Sequence, residues 1–182
     1  MLQNDKNKIH TEIKLRALFA ISDILEKKLV KSKRAFCLEV GYAVQNLYRL
    51  EKDENSYMPM NIIAHLVRKY KVNANWIFAA EGDMYRNDET VYVGNDIITL
   101  EQVNNDIKAR FIPFTETLRM KGKISSFRSF YLAAGLDKDM HSKIQQTEDY
   151  RFVQGAAIKH AVENYDLNAN WLILGIGNQT GS

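Results

Sequence analysis

Two stretches decide how this chain is built: Tyr70-Lys71-Val72-Asn73-Ala74-Asn75-Trp76-Ile77-Phe78 and Tyr165-Asp166-Leu167-Asn168-Ala169-Asn170-Trp171-Leu172-Ile173. They are one phrase repeated at an offset of 95 residues. At the same offset His65 and Val67 pair with His160 and Val162. Farther upstream the offset is 94, and it pairs Ile13, Lys14, Arg16, Lys27, Ser32, Arg34, Phe36, Leu38 and Gly41 with Ile107, Lys108, Arg110, Lys121, Ser126, Arg128, Phe130, Leu132 and Gly135. One inserted residue near 146–154 accounts for the change. A period of about half the 182-residue chain predicts tandem copies of one small domain, each able to hold a modest core.

Hydrophobic content of 46% and charged content of 26% are those of a globular protein. No apolar run of 18 or more residues is present, which argues against a membrane partner, and the polar start Met-Leu-Gln-Asn-Asp-Lys lacks a signal-peptide core. The single cysteine, Cys37, cannot form an internal disulfide and reads as a small buried residue between Phe36 and Leu38. These features lead us to expect a cytoplasmic protein. The net charge of +3 divides unevenly, +5 over residues 1–86 and −2 over 87–182, so the copies are expected to face different partners.

Residues 1–10 read as a polar, frayed tail. Ile13, Ala17, Ala20 and Ile24 then recur at helical spacing, as do Ile107, Phe111, Phe114 and Leu118. Ser32 suits the N-cap of a short helix over about 33–40, and Gly41 suits its end. A second short helix is expected at about 44–52, anchored by Leu47 and Leu50. Pro59 fits the first turn of a helix running to Lys69; Asn73 caps a last helix through Ala80, closed by Gly82. Residues 84–102 read as a linker in which Val91-Tyr92-Val93 and Ile97-Ile98 are candidate extended pieces. Pro113 falls inside the second copy's first helix, which must therefore start there or bend. The expected architecture is all-α: two tandem five-helix domains at 11–83 and 103–178.

The pair of helices around Gly41 carries the functional signal. In Ser32-Lys33-Arg34-Ala35-Phe36-Cys37-Leu38-Glu39-Val40-Gly41-Tyr42-Ala43-Val44-Gln45-Asn46-Leu47-Tyr48-Arg49-Leu50-Glu51, Phe36 and Val40 face the core and Cys37 leaves room for the second helix. Leu47 and Leu50 anchor that helix, and Val44, Gln45, Asn46, Tyr48 and Arg49 point outward. This pattern resembles the Cro/phage-repressor helix-turn-helix, the lambda-repressor-like or XRE type, over about residues 12–82. Asn-Ala-Asn-Trp with Glu81-Gly82 is similar to the last helix of a bacterial branch of that family.

The resemblance implies a second helix lying in the major groove of double-stranded DNA, its first residues on base edges. Gln45 or Asn46 suits adenine, Arg49 suits guanine, and Val44 a thymine methyl. Lys33 matches a phosphate-contacting position, and Lys27, Lys31 and Arg34 surround it. A basic cluster at a helix end also answers the helix dipole without any ligand; the turn spacing favours DNA. The second copy departs from the pattern. Tyr131 stands at the Cys37 position and His141 at the Leu47 position, and Asp137 and Asp139 would face a polyanion, each repulsion worth about 1 kcal/mol. Lys138, Ser142 and Lys143 remain its candidate DNA contacts.

Asp137, Asp139 and His141 alternate, yet on a helix Asp139 points away from the other two, so no metal is expected. Trp76 and Trp171 read as core residues, and His65 and His160 as structural. Gly175–Gly181 has glycines but no following lysine or helix, so no phosphate loop is expected. No cofactor, small-molecule ligand or catalytic constellation is evident, and an enzyme is not expected. The reading is a transcriptional regulator whose first copy binds an operator, with a homodimer supplying the second half-site. Two alternatives stay open: a protein-interaction module of antitoxin-like or adaptor type, and a single-chain pseudo-dimer with both copies on DNA.

Overall fold

A computed structural model describes residues 2–53, 56–87, 99–146 and 152–181, and all helices and turns named below lie in those segments. The two extended pieces expected within 91–98 lie outside the described residues. The first copy contains α1 (Leu2–Glu26), α2 (Lys33–Val40), α3 (Val44–Lys52), α4 (Met60–Lys69) and α5 (Ala74–Ala79). The second contains α6 (Leu100–Met120), α7 (Phe127–Ala133), α8 (Met140–Gln145), α9 (Gly155–Tyr165) and α10 (Ala169–Leu174). Regular structure among the described residues is entirely helical.

Helix α1 buries Ile13, Ala17, Ala20 and Ile24 as its stripe requires, with Ile21 beside them. It begins at Leu2, well ahead of the expected residue 11. No proline or glycine interrupts residues 2–12, and His10 is held on the core by the Tyr57 ring, edge-on at 4.3 Å between centroids. That tertiary contact anchors α1 one residue ahead of the expected start. Helix α6 runs through Pro113 without starting there, opened by a capping box between Thr99 and Gln102. Pro113 and Ala109, whose carbonyl loses its helical donor, are both exposed, so water can satisfy that oxygen.

The turns repeat as faithfully as the helices. Among the described residues, every left-handed backbone position in one copy has a left-handed equivalent in the other: Lys28 with Gly122, Gly41 with Gly135, Lys71 with Asp166, Ala80 with Gly175, and Gly82 with Gly177. Asn73 and Asn168 cap α5 and α10 by accepting from the N–H groups of Asn75 and Asn170. Helix α5 ends at Ala80, φ 57°, rather than at Gly82. An isolated antiparallel bridge then pairs Val72 with Tyr85, and another pairs Leu167 with Thr180. This assigns the glycine-rich C-terminal segment a structural part, and it extends each repeat to Arg86 and Gly181, where backbone N–H groups donate to Lys71 and Asp166.

The copies meet through their last two helices. Helix α5 packs on α9 and α10, α10 packs on α4, and the first helices complete the seam, α1 on α9 and α6 on α4. Each contact has its counterpart with the copies exchanged, so the arrangement is pseudo-twofold. At its centre the duplicated asparagines cross. Asn170 Oδ1 accepts from Ala74 N at 2.8 Å, and Asn75 Oδ1 accepts from Ala169 N at 2.6 Å. Asn170 Nδ2 donates to Asn73 Oδ1 at 2.9 Å. Each side chain satisfies a first-turn amide of the other copy's helix that has no intrahelical partner.

Arg16 and Arg110 do equivalent work within each copy. Arg16 donates to the carbonyls of Ile77 and Phe78 at 2.7 and 3.0 Å, and Arg110 to that of Leu172 at 2.8 Å. Burial lowers the pKa of both guanidinium groups. Arg68 crosses the seam, 3.0 Å from the Ile173 carbonyl and 3.3 Å from Asp106. The tryptophans depart from expectation: Trp76 and Trp171 are half-buried on the rim, while Ile77, Phe78, Leu172 and Ile173 fill the interior.

Candidate nucleic-acid interface

The candidate interface is built on α2 and α3. Ser32, extended at φ −167°, accepts from Ala35 N and starts α2. Phe36, Cys37 and Val40 bury that helix on one side. Gly41, φ 67°, turns the chain so that Tyr42 N donates back to the Cys37 carbonyl at 2.8 Å. An L-residue at this left-handed position costs about 1–2 kcal/mol. The Cys37 side chain is 2% exposed and burial raises its thiol pKa, so it is a packing group and not a nucleophile. Helix α3 begins at Val44 and is held by Leu47 and Leu50, both buried.

That anchoring leaves Gln45, Asn46, Tyr48 and Arg49 exposed, while Val44 is half-buried and packs against the core. The expected phosphate contacts divide. Lys31 and Arg34 are exposed beside the start of α2. Lys33 pairs with Glu51 at 2.5 Å and lies 5.2 Å from the Tyr48 ring centroid. Lys27 pairs with Asp23 at 2.8 Å and lies over the Tyr85 ring. The Lys27 ammonium, and after it the Tyr85 hydroxyl, holds the Asp23 carboxyl below its usual pKa. Partly exposed pairs of this kind are worth about 0–1 kcal/mol, so a phosphate can compete for either lysine.

The second copy presents a different face. Ser126 and Ser129 form a capping box on α7, and Gly135 repeats the left-handed turn. Helix α8 then starts at Met140, whereas the equivalent of Val44 is Lys138. Lys138 and Asp139 therefore lie in the turn ahead of α8. Ser142 is exposed, but Lys143 folds back to pair with Asp137, which also accepts from Asp139 N. Lys143 is the main cause that depresses the Asp137 pKa.

Beneath this surface, His141 stacks on Phe127 at 3.6 Å between centroids, and the fully buried Tyr131 ring meets Phe130 edge-on. The Tyr131 hydroxyl and His141 Nδ1 are buried without a hydrogen-bond partner among the described residues. Burial raises the Tyr131 pKa and lowers that of His141. Among the described residues no group of three or more His, Cys, Asp or Glu gathers as metal ligands. No helix there is long and apolar enough to cross a membrane.

His65 and His160 occupy matched aromatic clusters. His65 meets Phe36 and Tyr70, and His160 meets Phe130 and Tyr165. His65 pairs with the Glu39 carboxylate at 3.2 Å, whereas Ala133 stands at the equivalent position beside His160 in the second copy. Sequence reasoning missed the asparagine crossing. Its one signal was identical polar residues, Asn73/Asn75 and Asn168/Asn170, in a phrase otherwise explained by packing.

Comparison with protein-family models finds no matching family, and comparisons with curated proteins and with solved structures find no match either.

Proposed function

We propose that this chain is a sequence-specific DNA-binding transcriptional regulator, built as two tandem lambda-repressor-like helix-turn-helix domains of five helices each. The observation that carries the reading is the outer face of α3. Leu47 and Leu50 are buried in the core, while Gln45, Asn46, Tyr48 and Arg49 are exposed on α3, and Lys31 and Arg34 are exposed at the start of α2. A bidentate amide and a guanidinium one turn apart suit an adenine and a guanine edge, worth about 1–3 kcal/mol of discrimination each. The +5 charge of residues 1–86 supplies the non-specific attraction. No catalytic step is part of the proposal.

The pseudo-twofold seam favours a second reading, the single-chain pseudo-dimer. The second copy already covers α4 and α5 of the first, so a homodimer of whole chains would need another surface. Against equal reading by both copies stand the short α8, the Asp137–Lys143 pair and the exposed Asp139. In the proposed division of labour the first copy reads bases and the second braces it.

Selection of the full-length chain on random duplex DNA, followed by footprinting, tests this. Arg49→Ala or Gln45→Ala should relax one or two positions of the selected site, and Lys143→Ala should leave it unchanged. Two half-sites about 34 Å apart, both altered by second-copy variants, would establish the pseudo-dimer instead. A folded chain that selects no sequence would favour the protein-interaction module.

A further inference from the structure

An apolar cavity of about 220 Å³ lies in the seam, on the side of the first helices and the loops that precede α4 and α9. Equivalent positions of the two copies face it together: Tyr57 with Phe152, Met60 with Gly155, and His10 with Asn104. It therefore straddles the pseudo-twofold axis, and it sits where the symmetry fails. Met60 contributes a long side chain; its equivalent, Gly155, contributes none, and its Cα packs so closely that an added Cβ would stand 3.0 Å from Ile13 Cδ1. Ile13, Ile63 and Phe78 form the apolar wall, and Tyr57 and Phe152 remain 48% and 43% exposed where solvent reaches it.

One wall residue, Asn104, is polar. Asn104 Oδ1 is buried and has no hydrogen-bond partner among the described residues. A buried acceptor left unpaired is a standing cost that a ligand donor would remove. The volume exceeds the roughly 150 Å³ of an apolar cavity known to take up benzene.

We propose that this seam cavity is a binding site for a small, mostly apolar molecule, such as a bicyclic aromatic of about ten non-hydrogen atoms, carrying one N–H or O–H donor that meets Asn104 Oδ1. Such a molecule touches both copies at once, so its binding strengthens the seam. The site stands independently of the DNA reading.

Indole and benzothiophene, the same shape with and without an N–H, are the probes for calorimetry and amide NMR on the full-length chain. Saturable one-to-one binding of indole is expected, with a dissociation constant below about 1 mM. Its largest shifts should fall at Ile63 and Gly155, and the melting temperature should rise. Benzothiophene should bind about fivefold or more weakly. Ile63→Phe, which fills the cavity, should abolish binding of both probes. Asn104→Leu should retain binding and lose the preference for indole, and it carries the test on its own if Ile63→Phe does not fold. Absence of saturable indole binding, shifts confined to sites away from the seam, or a preference that survives Asn104→Leu would overturn the proposal.

Discussion

Replacing Asn170 by alanine removes both bonds that its side chain makes across the seam. Ala74, fully buried, loses the acceptor of its N–H at 2.8 Å, and Asn73 Oδ1 loses a donor at 2.9 Å. The Asn73 oxygen keeps the Asn75 N–H at 3.0 Å, so it is not orphaned. The Ala74 amide lies in the first turn of α5 and has no helical acceptor to return to. Leaving that group unpaired costs about 1–3 kcal/mol and the second bond contributes about 0.5–1.5, giving an expected loss of about 2–4 kcal/mol.

Asn75→Ala, whose second bond is longer at 3.4 Å, should lose somewhat less. The double variant should fall short of the sum by about 0.5–1 kcal/mol, because the pairs share one seam. Urea unfolding followed in parallel by circular dichroism and by tryptophan fluorescence measures this, since Trp76 and Trp171 lie on α5 and α10. Asn164→Ala, on an exposed turn of α9, is the control and should change stability by no more than about 0.5 kcal/mol. A loss below about 0.5 kcal/mol for Asn170→Ala would refute the argument that the duplicated phrase exists to lock the copies together.

The second copy's buried polar groups make further predictions. Tyr131→Phe removes a buried hydroxyl that lacks a partner and should stabilise the chain by about 1 kcal/mol, read from the urea midpoint. His141→Leu restores the residue type of the Leu47 position and should gain a similar amount at neutral pH. His65, His141 and His160 are all held below the usual imidazole pKa, in each case chiefly by burial. On unfolding, these rings take protons first as pH falls below about 6.5. Stability is therefore fully present above that value and declines as pH drops toward the folded pKa values. His141→Leu should flatten that decline between about pH 7 and 5, and an unchanged slope would exclude His141 as a contributor. Ala80→Gly relieves the left-handed end of α5 and should add about 0.5 kcal/mol, matching the glycine already present at 175.

Much of each copy was legible because it is governed by neighbours in sequence. Ser32 and Asn73 cap helices because their side chains reach amides two or three residues away. Gly41 ends α2 because it enters the left-handed region without strain, and the stripe Ile13, Ala17, Ala20, Ile24 fixes which side of α1 is inside. Leu47 and Leu50 likewise fix which side of α3 is out, leaving Gln45, Asn46, Tyr48 and Arg49 to solvent. Where local signals were weak, tertiary contacts decided. Residues before 11 became helix, with Tyr57 receiving His10, and α6 passed through Pro113 on an exposed surface where water can reach the freed carbonyl.

That one helical pattern occurs twice is plain from the residues alone, because Tyr70, Asn73, Ala74, Asn75 and Trp76 recur unchanged 95 residues farther on. What the repeated phrase bonds to depends on packing between the copies. Nothing local distinguishes Asn75 capping its own helix from Asn75 accepting the Ala169 amide 94 residues away. The same limit applies to α8. The spacing of Lys138 and Lys143 resembles a reading helix, yet the pairing of Lys143 with Asp137 and the late start at Met140 depend on how the chain turns after Gly135. Caps, turns and stripes act over a few residues and are written in order along the chain. Partners across a seam are set by packing of the whole, and that is a property of the fold.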